Sequence, residues 1–187
     1  VVLGQPDFFT EGAAAHGQST SNGLHLPTAV LVLDGRLLVA DAWHHRVLVW
    51  ERVPTESYTP PSYAIGQPAL DAVSPNAGGA IAANALYWPY GIGVAGGMFW
   101  ITDTGNRRVL GWHGVPDPGA PAEVVLGQTD ATQGEENGGG DVTDSTFRWP
   151  HAVCGDDHTI YVADAGNHRI VGYTPVPSGQ CPATLLL

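Results

Sequence analysis

The chain has 187 residues, with 25 Gly and 15 Pro, and its formal charge of −11 sets 18 acidic residues against 7 Arg and no Lys. So few cations exclude counterion replacement along a phosphate backbone, and with it a nucleic-acid partner; an anionic membrane surface is excluded on the same ground. The Gly and Pro content fits many short strands joined by turns, and no apolar run approaches the ~18 residues a membrane span needs.

Val1–Gln5 reads as a short strand ended by Gly-Gln-Pro, and Pro6–Leu26 as a polar loop with no sustained period. Pro27 closes the loop, and the apolar run after it enters Asp34-Gly35, a strong two-residue hairpin signal. RLLVAD (Arg36–Asp41) is the returning strand, AWHH a turn, and Arg46–Glu51 a third strand. A Pro-rich connection, Arg52–Ser62, leads to a fourth strand at Tyr63–Gln67. The order then repeats through loop 68–88, Pro89, a Gly96-Gly97 hairpin, MFWITD, turn TGNR, VLGW, loop 113–122 and EVVLGQ. It repeats again through loop 129–149, Pro150, HAVCG, a hairpin at Asp156-Asp157, TIYVAD, turn AGNH, RIVGY and a last strand at Ala183–Leu187.

The repeat has a fixed step. LVADAWHHRVLVW, WITDTGNRRVLGW and YVADAGNHRIVGY place Asp41, Asp103 and Asp164 at intervals of 103 − 41 = 62 and 164 − 103 = 61. LGQ, IGQ and LGQ at Leu3, Ile65 and Leu126 keep the same step. Four short antiparallel strands per unit with one long connection is the pattern of a β-propeller blade. The fold class is therefore all-β: one segment over 1–187, with three four-stranded blades at about 1–62, 63–123 and 124–187. Val1–Gln5 is expected as the outer strand of a preceding blade.

The pattern P-x-[GA]-[VI]-x-V, a hairpin, then [YLW]-[VI]-[AT]-D-x-x-N-x-R-[VI] resembles the NHL repeat. It is closest over Tyr90–Val109 and His151–Ile170, and departs at His44, where the turn Asn belongs, and at Thr28-Ala29, where Gly is commoner than Ala. The resemblance implies a six-bladed ring, of which three repeats are half. The chain is then expected to be a piece of a longer protein with about six repeats, or a half-ring completed by pairing with another segment or another copy.

Asp41, Asp103, Asp164, Arg46, Arg108 and Arg169, with Asn106 and Asn167, occur once per unit. Chemistry is done once per molecule and scaffolding once per blade, so this set is read as structural: the carboxylate caps a tight turn, Asn or Gly takes the positive-φ position, and the Arg pairs with the Asp. What does not repeat is the residue after each Pro: Thr28, Tyr90 and His151. Topology places them at the channel rim, on the face that also receives His44, Arg107, His168, Trp88 and Trp149, with His113 and His158 on the opposite face. That rim is the expected ligand or partner surface.

The resemblance extends to NHL-like peptidyl-hydroxyglycine amidating lyases, in which His residues after this Pro hold zinc, and WPHAV matches that motif. Zinc catalysis needs about three protein ligands; Thr28 and Tyr90 stand where two of them would be, so His151 is a weak metal candidate. Glu135, Glu136, Asp141 and Asp144 on a Gly-rich loop could hold calcium, but without the spacing of a calcium loop they read as solvated. Trp43, Trp50, Trp100 and Trp112 read as core, and Cys154 as a small core residue. Cys154 and Cys181 leave the compartment open, with a soluble cytoplasmic setting preferred to a secreted one; the start without Met leaves a removed leader or upstream sequence open. The expected function is a scaffold with no cofactor that binds a protein partner, a small ligand or another copy of itself. The alternative is a metal-dependent lyase or lactonase-like hydrolase at the channel mouth.

Overall fold

The computed structural model describes residues 1–179 and 181–186. Three four-stranded antiparallel sheets follow one another along the chain. The first holds β1 (Pro27–Leu33), β2 (Arg36–Asp41), β3 (Arg46–Trp50) and β4 (Tyr63–Ile65). The second holds β5 (Pro89–Ala95), β6 (Met98–Asp103), β7 (Arg108–Trp112) and β8 (Val124–Leu126). The third holds β9 (Pro150–Gly155), β10 (Ile160–Asp164), β11 (Arg169–Tyr173) and β12 (Leu185–Leu186). Leu187, assigned to the last strand from sequence, lies outside the described residues. No helix among the described residues is long and apolar enough to cross a membrane.

The turn residues explain the hairpins. Asp34 and Gly35 have φ of 50° and 77°, Gly96 and Gly97 59° and 71°. Two successive positive φ values are the two-residue geometry that matches strand twist. The third hairpin differs from its expected Asp156-Asp157 turn. Neither residue is left-handed; the Asp156 carboxylate instead accepts the N–H groups of His158 and Thr159, each at 2.8 Å, and the loop runs to Thr159.

Alternation along the strands gives each blade two apolar faces. Leu38, Ala40, Val47 and Val49 of the first blade pack against Ile92, Phe99, Ile101, Leu110 and Trp112 of the second. Trp100, Val109 and Leu126 of the second pack against Val153, Ile160, Val162, Val171 and Tyr173 of the third. A smaller cluster covers the outer side of the first blade, where Leu37, Val39, Leu48 and Trp50 meet Leu3, Leu24 and Leu70. The core is thus a series of junctions. Val1–Gln5, expected as an outer strand, is not one: among the described residues its one ladder contact is an isolated bridge from Gly4 to Gly23.

Two residues expected inside are outside. Cys154 lies on the uncovered face of the third blade and is exposed, and both cysteines are free thiols. Trp43 is 47% exposed in the turn after Asp41, edge-on to the His25 ring at 5.0 Å, whereas Trp50, Trp100 and Trp112 are buried.

Candidate functional site

The site begins with the repeated Asp. Oδ1 of Asp41, Asp103 and Asp164 accepts the backbone N–H of His25, Tyr87 and Arg148, at 2.6, 2.7 and 2.7 Å. Oδ2 accepts Arg46, Arg108 or Arg169 Nε at 2.8, 2.7 and 2.8 Å. Asn106 and Asn167 add Nδ2 donors at 2.8 and 2.7 Å, and in the first blade His44 Nδ1 occupies that place at 2.8 Å. Burial pushes the Asp103 carboxyl above its ordinary value, and the Arg108 guanidinium and the Tyr87 and Asn106 donors oppose it. The left-handed residue of each turn is neither Asn nor Gly as expected. It is the next one, His45, Arg107 or His168, at φ of 55°, 54° and 55°. The Asn is taken by the carboxylate, so the turn closes one residue later.

This fastener shapes the rim. The segment before each Pro is held by the carboxylate on one side and by the turn on the other: Gly105 and Gly166 donate N–H to the Tyr87 and Arg148 carbonyls, both at 2.7 Å. The next residue is then forced left-handed. Leu26, Trp88 and Trp149 have φ of 54°, 52° and 55°. Such a conformation costs a bulky residue roughly 1–3 kcal/mol and persists only where its surroundings over-determine it. Its result is an exposed apolar side chain at the rim, with Trp88 37% and Trp149 47% accessible.

The residue after each Pro is a β-bulge. Pro27, Pro89 and Pro150 pair with Asp41, Asp103 and Asp164, and the ladder resumes at Ala29, Gly91 and Ala152. Thr28, Tyr90 and His151 are the extra residues. A bulge re-aims its side chain out of the strand alternation. Tyr90 and His151 therefore meet across the second junction, stacked at 4.9 Å with an interplanar angle of 11°. With Trp88, Trp149 and Thr104 they line a cleft of about 270 Å³. Thr104 Oγ1 donates to the Pro150 carbonyl at 2.5 Å, fixing the floor.

Other expected face residues sit differently. His44 is 5% exposed and belongs to the fastener. Arg107 turns back, its Nη1 donating to the Gly105 carbonyl at 2.6 Å and to Gly134 at 3.4 Å. Thr28 and His168 are exposed, and neither lines the cleft. Two further residues complete the surroundings: Thr104, which the sequence did not single out, and His45, which the turn topology places near this face. Thr104 stands where the other units have Ala42 and Ala165, and that break in the repeat was its signal. His45 accepts the Trp88 N–H at Nδ1, 3.3 Å, with its ring 5.2 Å from Tyr87. Burial, with His44 beside it, pushes the His45 imidazole down to about 4, so it is neutral and an acceptor near neutral pH.

Among the described residues no three His, Cys, Asp or Glu side chains are grouped to hold a metal ion. Glu136 pairs with Arg148. A larger depression of about 410 Å³ on the opposite face is lined by Gly96, His113, Asp157, His158 and the 175–178 loop. Its His113 is engaged by Glu123 at 2.5 Å.

A flat aromatic wall, two exposed indoles and one hydroxyl can hold a ring-sized apolar group and orient it by one or two hydrogen bonds. The volume is below the roughly 300–1,000 Å³ of enclosed small-molecule sites, so the cleft fits a side chain or a single ring. Comparison with curated proteins gives no match to the chain. The family model of the NHL repeat matches residues 147–173, the span from Phe147 through the Trp149 rim to the end of β11. Residues 147–173 thus carry an NHL repeat, and the three four-stranded antiparallel sheets are consistent with the β-propeller-like array that such repeats build.

Proposed function

We propose that the chain is a non-catalytic scaffold that binds a protein partner, taking one aromatic or Pro ring of that partner between Trp88 and Trp149. The observation that carries the reading is the pair of indoles held exposed on left-handed backbone over the Tyr90–His151 stack. Of the three equivalent left-handed positions, two end in exposed Trp, and exposing so large an apolar side chain is a feature that stability alone does not reward. Trp and Tyr are also the residue types that most often anchor interfaces.

Selection of a displayed random-peptide library on the chain tests this. Enriched peptides should carry a central aromatic or Pro residue, lose at least about tenfold in affinity (~1.4 kcal/mol) with Trp88→Ala or Trp149→Ala, and bind His113→Ala unchanged. Peptides indifferent to both Trp substitutions would sink the reading. Elemental analysis of the purified protein is the second arm: stoichiometric zinc that is lost with His151→Ala would replace the scaffold by a metal-dependent lyase or hydrolase.

A further inference from the structure

The two junctions between blades are built from the same elements, so each residue of one has a counterpart in the other. Tyr63 pairs with Val49 at the outer edge of the first blade, and Val124 pairs with Gly111 at the outer edge of the second. Val49 and Gly111 each stand one residue before the last Trp of their strand, so Val124 is the counterpart of Tyr63. The connections after β7 and β11 run Trp112-His113-Gly114-Val115-Pro116 and Tyr173-Thr174-Pro175-Val176-Pro177. Pro177 is therefore the counterpart of Pro116, and both are buried.

At the first junction Tyr63 reaches across. Its ring belongs with Val115 to the apolar cluster between the blades, and its hydroxyl donates to the Pro116 carbonyl at 3.1 Å. Burial pushes the phenol above its ordinary value, so the hydroxyl stays a neutral donor. At the second junction Val124 is too short to make that crossing, and the depression of about 410 Å³ opens there. Its apolar surface is Met98, Val124, Val176 and Pro177, and its mouth carries His113, Glu123 and Asp157. Among the described residues none donates to the Pro177 carbonyl. Trp100 does not refill the space. Its ring lies against Gly111, fully buried, with Nε1 donating to the Ala95 carbonyl at 3.0 Å, and it does not line the depression.

We infer that this depression binds a small phenol, which takes the place that Tyr63 holds at the first junction. The ring lies on Met98 and Val124, and the hydroxyl donates to the Pro177 carbonyl. The volume falls within the roughly 300–1,000 Å³ of small-molecule sites. The backbone N–H and ring of His113 hold the Glu123 carboxyl below its ordinary value, so it is ionised at neutral pH. With Asp157 beside it, the mouth disfavours a phenol whose other substituent is anionic. The site is on the face opposite the Trp88–Trp149 cleft and is independent of any partner bound there.

Met98 is the only methionine of the chain, so a methyl label on methionine gives one resonance, and it reports from the depression. Tyrosol, a phenol with an uncharged side chain, should shift that resonance saturably, with a dissociation constant on the order of 1 mM or tighter. Phenethyl alcohol, the same molecule without the phenolic hydroxyl, should bind about fivefold more weakly, and anionic para-hydroxyphenylacetate should also bind more weakly than tyrosol. Val124→Tyr supplies the side chain of the first junction and should abolish the response while the denaturation midpoint holds or rises. Trp88→Ala, on the other face, should leave the response unchanged. A Met98 resonance that tyrosol does not move overturns the inference, as does equal affinity for phenethyl alcohol or a folded Val124→Tyr chain that still responds. So does a response lost with Trp88→Ala, which would put the phenol in the rim cleft instead.

Discussion

Asp41, Asp103 and Asp164 make one design with two internal solutions. In the second and third blades Asn106 and Asn167 also donate Nδ2 to Asn76 and Asn137 of the crossing loops, both at 2.8 Å. The first blade replaces both partners at once, with His44 for the turn Asn and Ala14 for the loop Asn; Ala14 is identified by its N–H bond to Leu24 at 2.9 Å, as Asn76 bonds Leu86. The two substitutions compensate. His44→Asn alone is expected to cost about 1 kcal/mol, and adding Ala14→Asn to recover it, since Asn tolerates the left-handed φ of 51° there and restores the amide pair. Urea denaturation of the two single variants and the double one reads the coupling; strict additivity would refute it. His45 adds a pH dependence. Its folded pKa of about 4 lies below its ordinary 6.5, so the unfolded chain binds the proton first. Its contribution is complete above about pH 6.5 and drains as pH falls towards 4, roughly 1–2 kcal/mol by about pH 5. Comparing denaturation near pH 7 and pH 5 should show that slope flattened in His45→Gln.

At the scale of the element, the inner strands decide how close the blades come. Gly93 faces the β9 backbone so tightly that a Cβ would stand 2.3 Å from the Val153 carbonyl oxygen, and one on Gly91 would stand 2.6 Å from that of His151. The first blade carries Ala29 and Leu31 at these positions. The departure from Gly noted at Ala29 thus separates two kinds of junction, and the Tyr90–His151 stack forms at the closer one. Gly93→Ala is expected to cost about 1–3 kcal/mol by forcing β5 from β9. Gly140→Ala, with open space around it, should leave the denaturation midpoint unchanged; equal effects would refute the close-approach argument. Strand order and two of the three hairpins were legible because hydrophobic alternation and turn chemistry are local. The cleft was legible only as a list. That Tyr90 and His151 stack depends on two bulges and two glycines, which set a distance between strands 61 residues apart, beyond the reach of periodicity. His44 and Arg107 were placed on the open face by topology, but a buried carboxylate and a loop carbonyl capture their side chains.

The whole molecule is a linear array with its core in instalments, so each unit's neighbours settle what is inside. Cys154 reads as a core residue in sequence because its strand is apolar, yet exposure depends on whether a blade follows, and a strand does not encode its neighbour. The same holds for Val1–Gln5, which has the composition of a strand and makes a single isolated bridge. What the repeat did fix was register: a step of 61 or 62 residues carries every fastener to the same height and every rim residue to the same face. The Nη1 bonds of Arg46 and Arg108 reach forward, 24 and 23 residues down the chain, to loops that belong to the next unit. During synthesis, then, a blade cannot make its last contact when its own strands are finished. The first and second blades must wait for that bond until the opening loop of the unit after each has emerged.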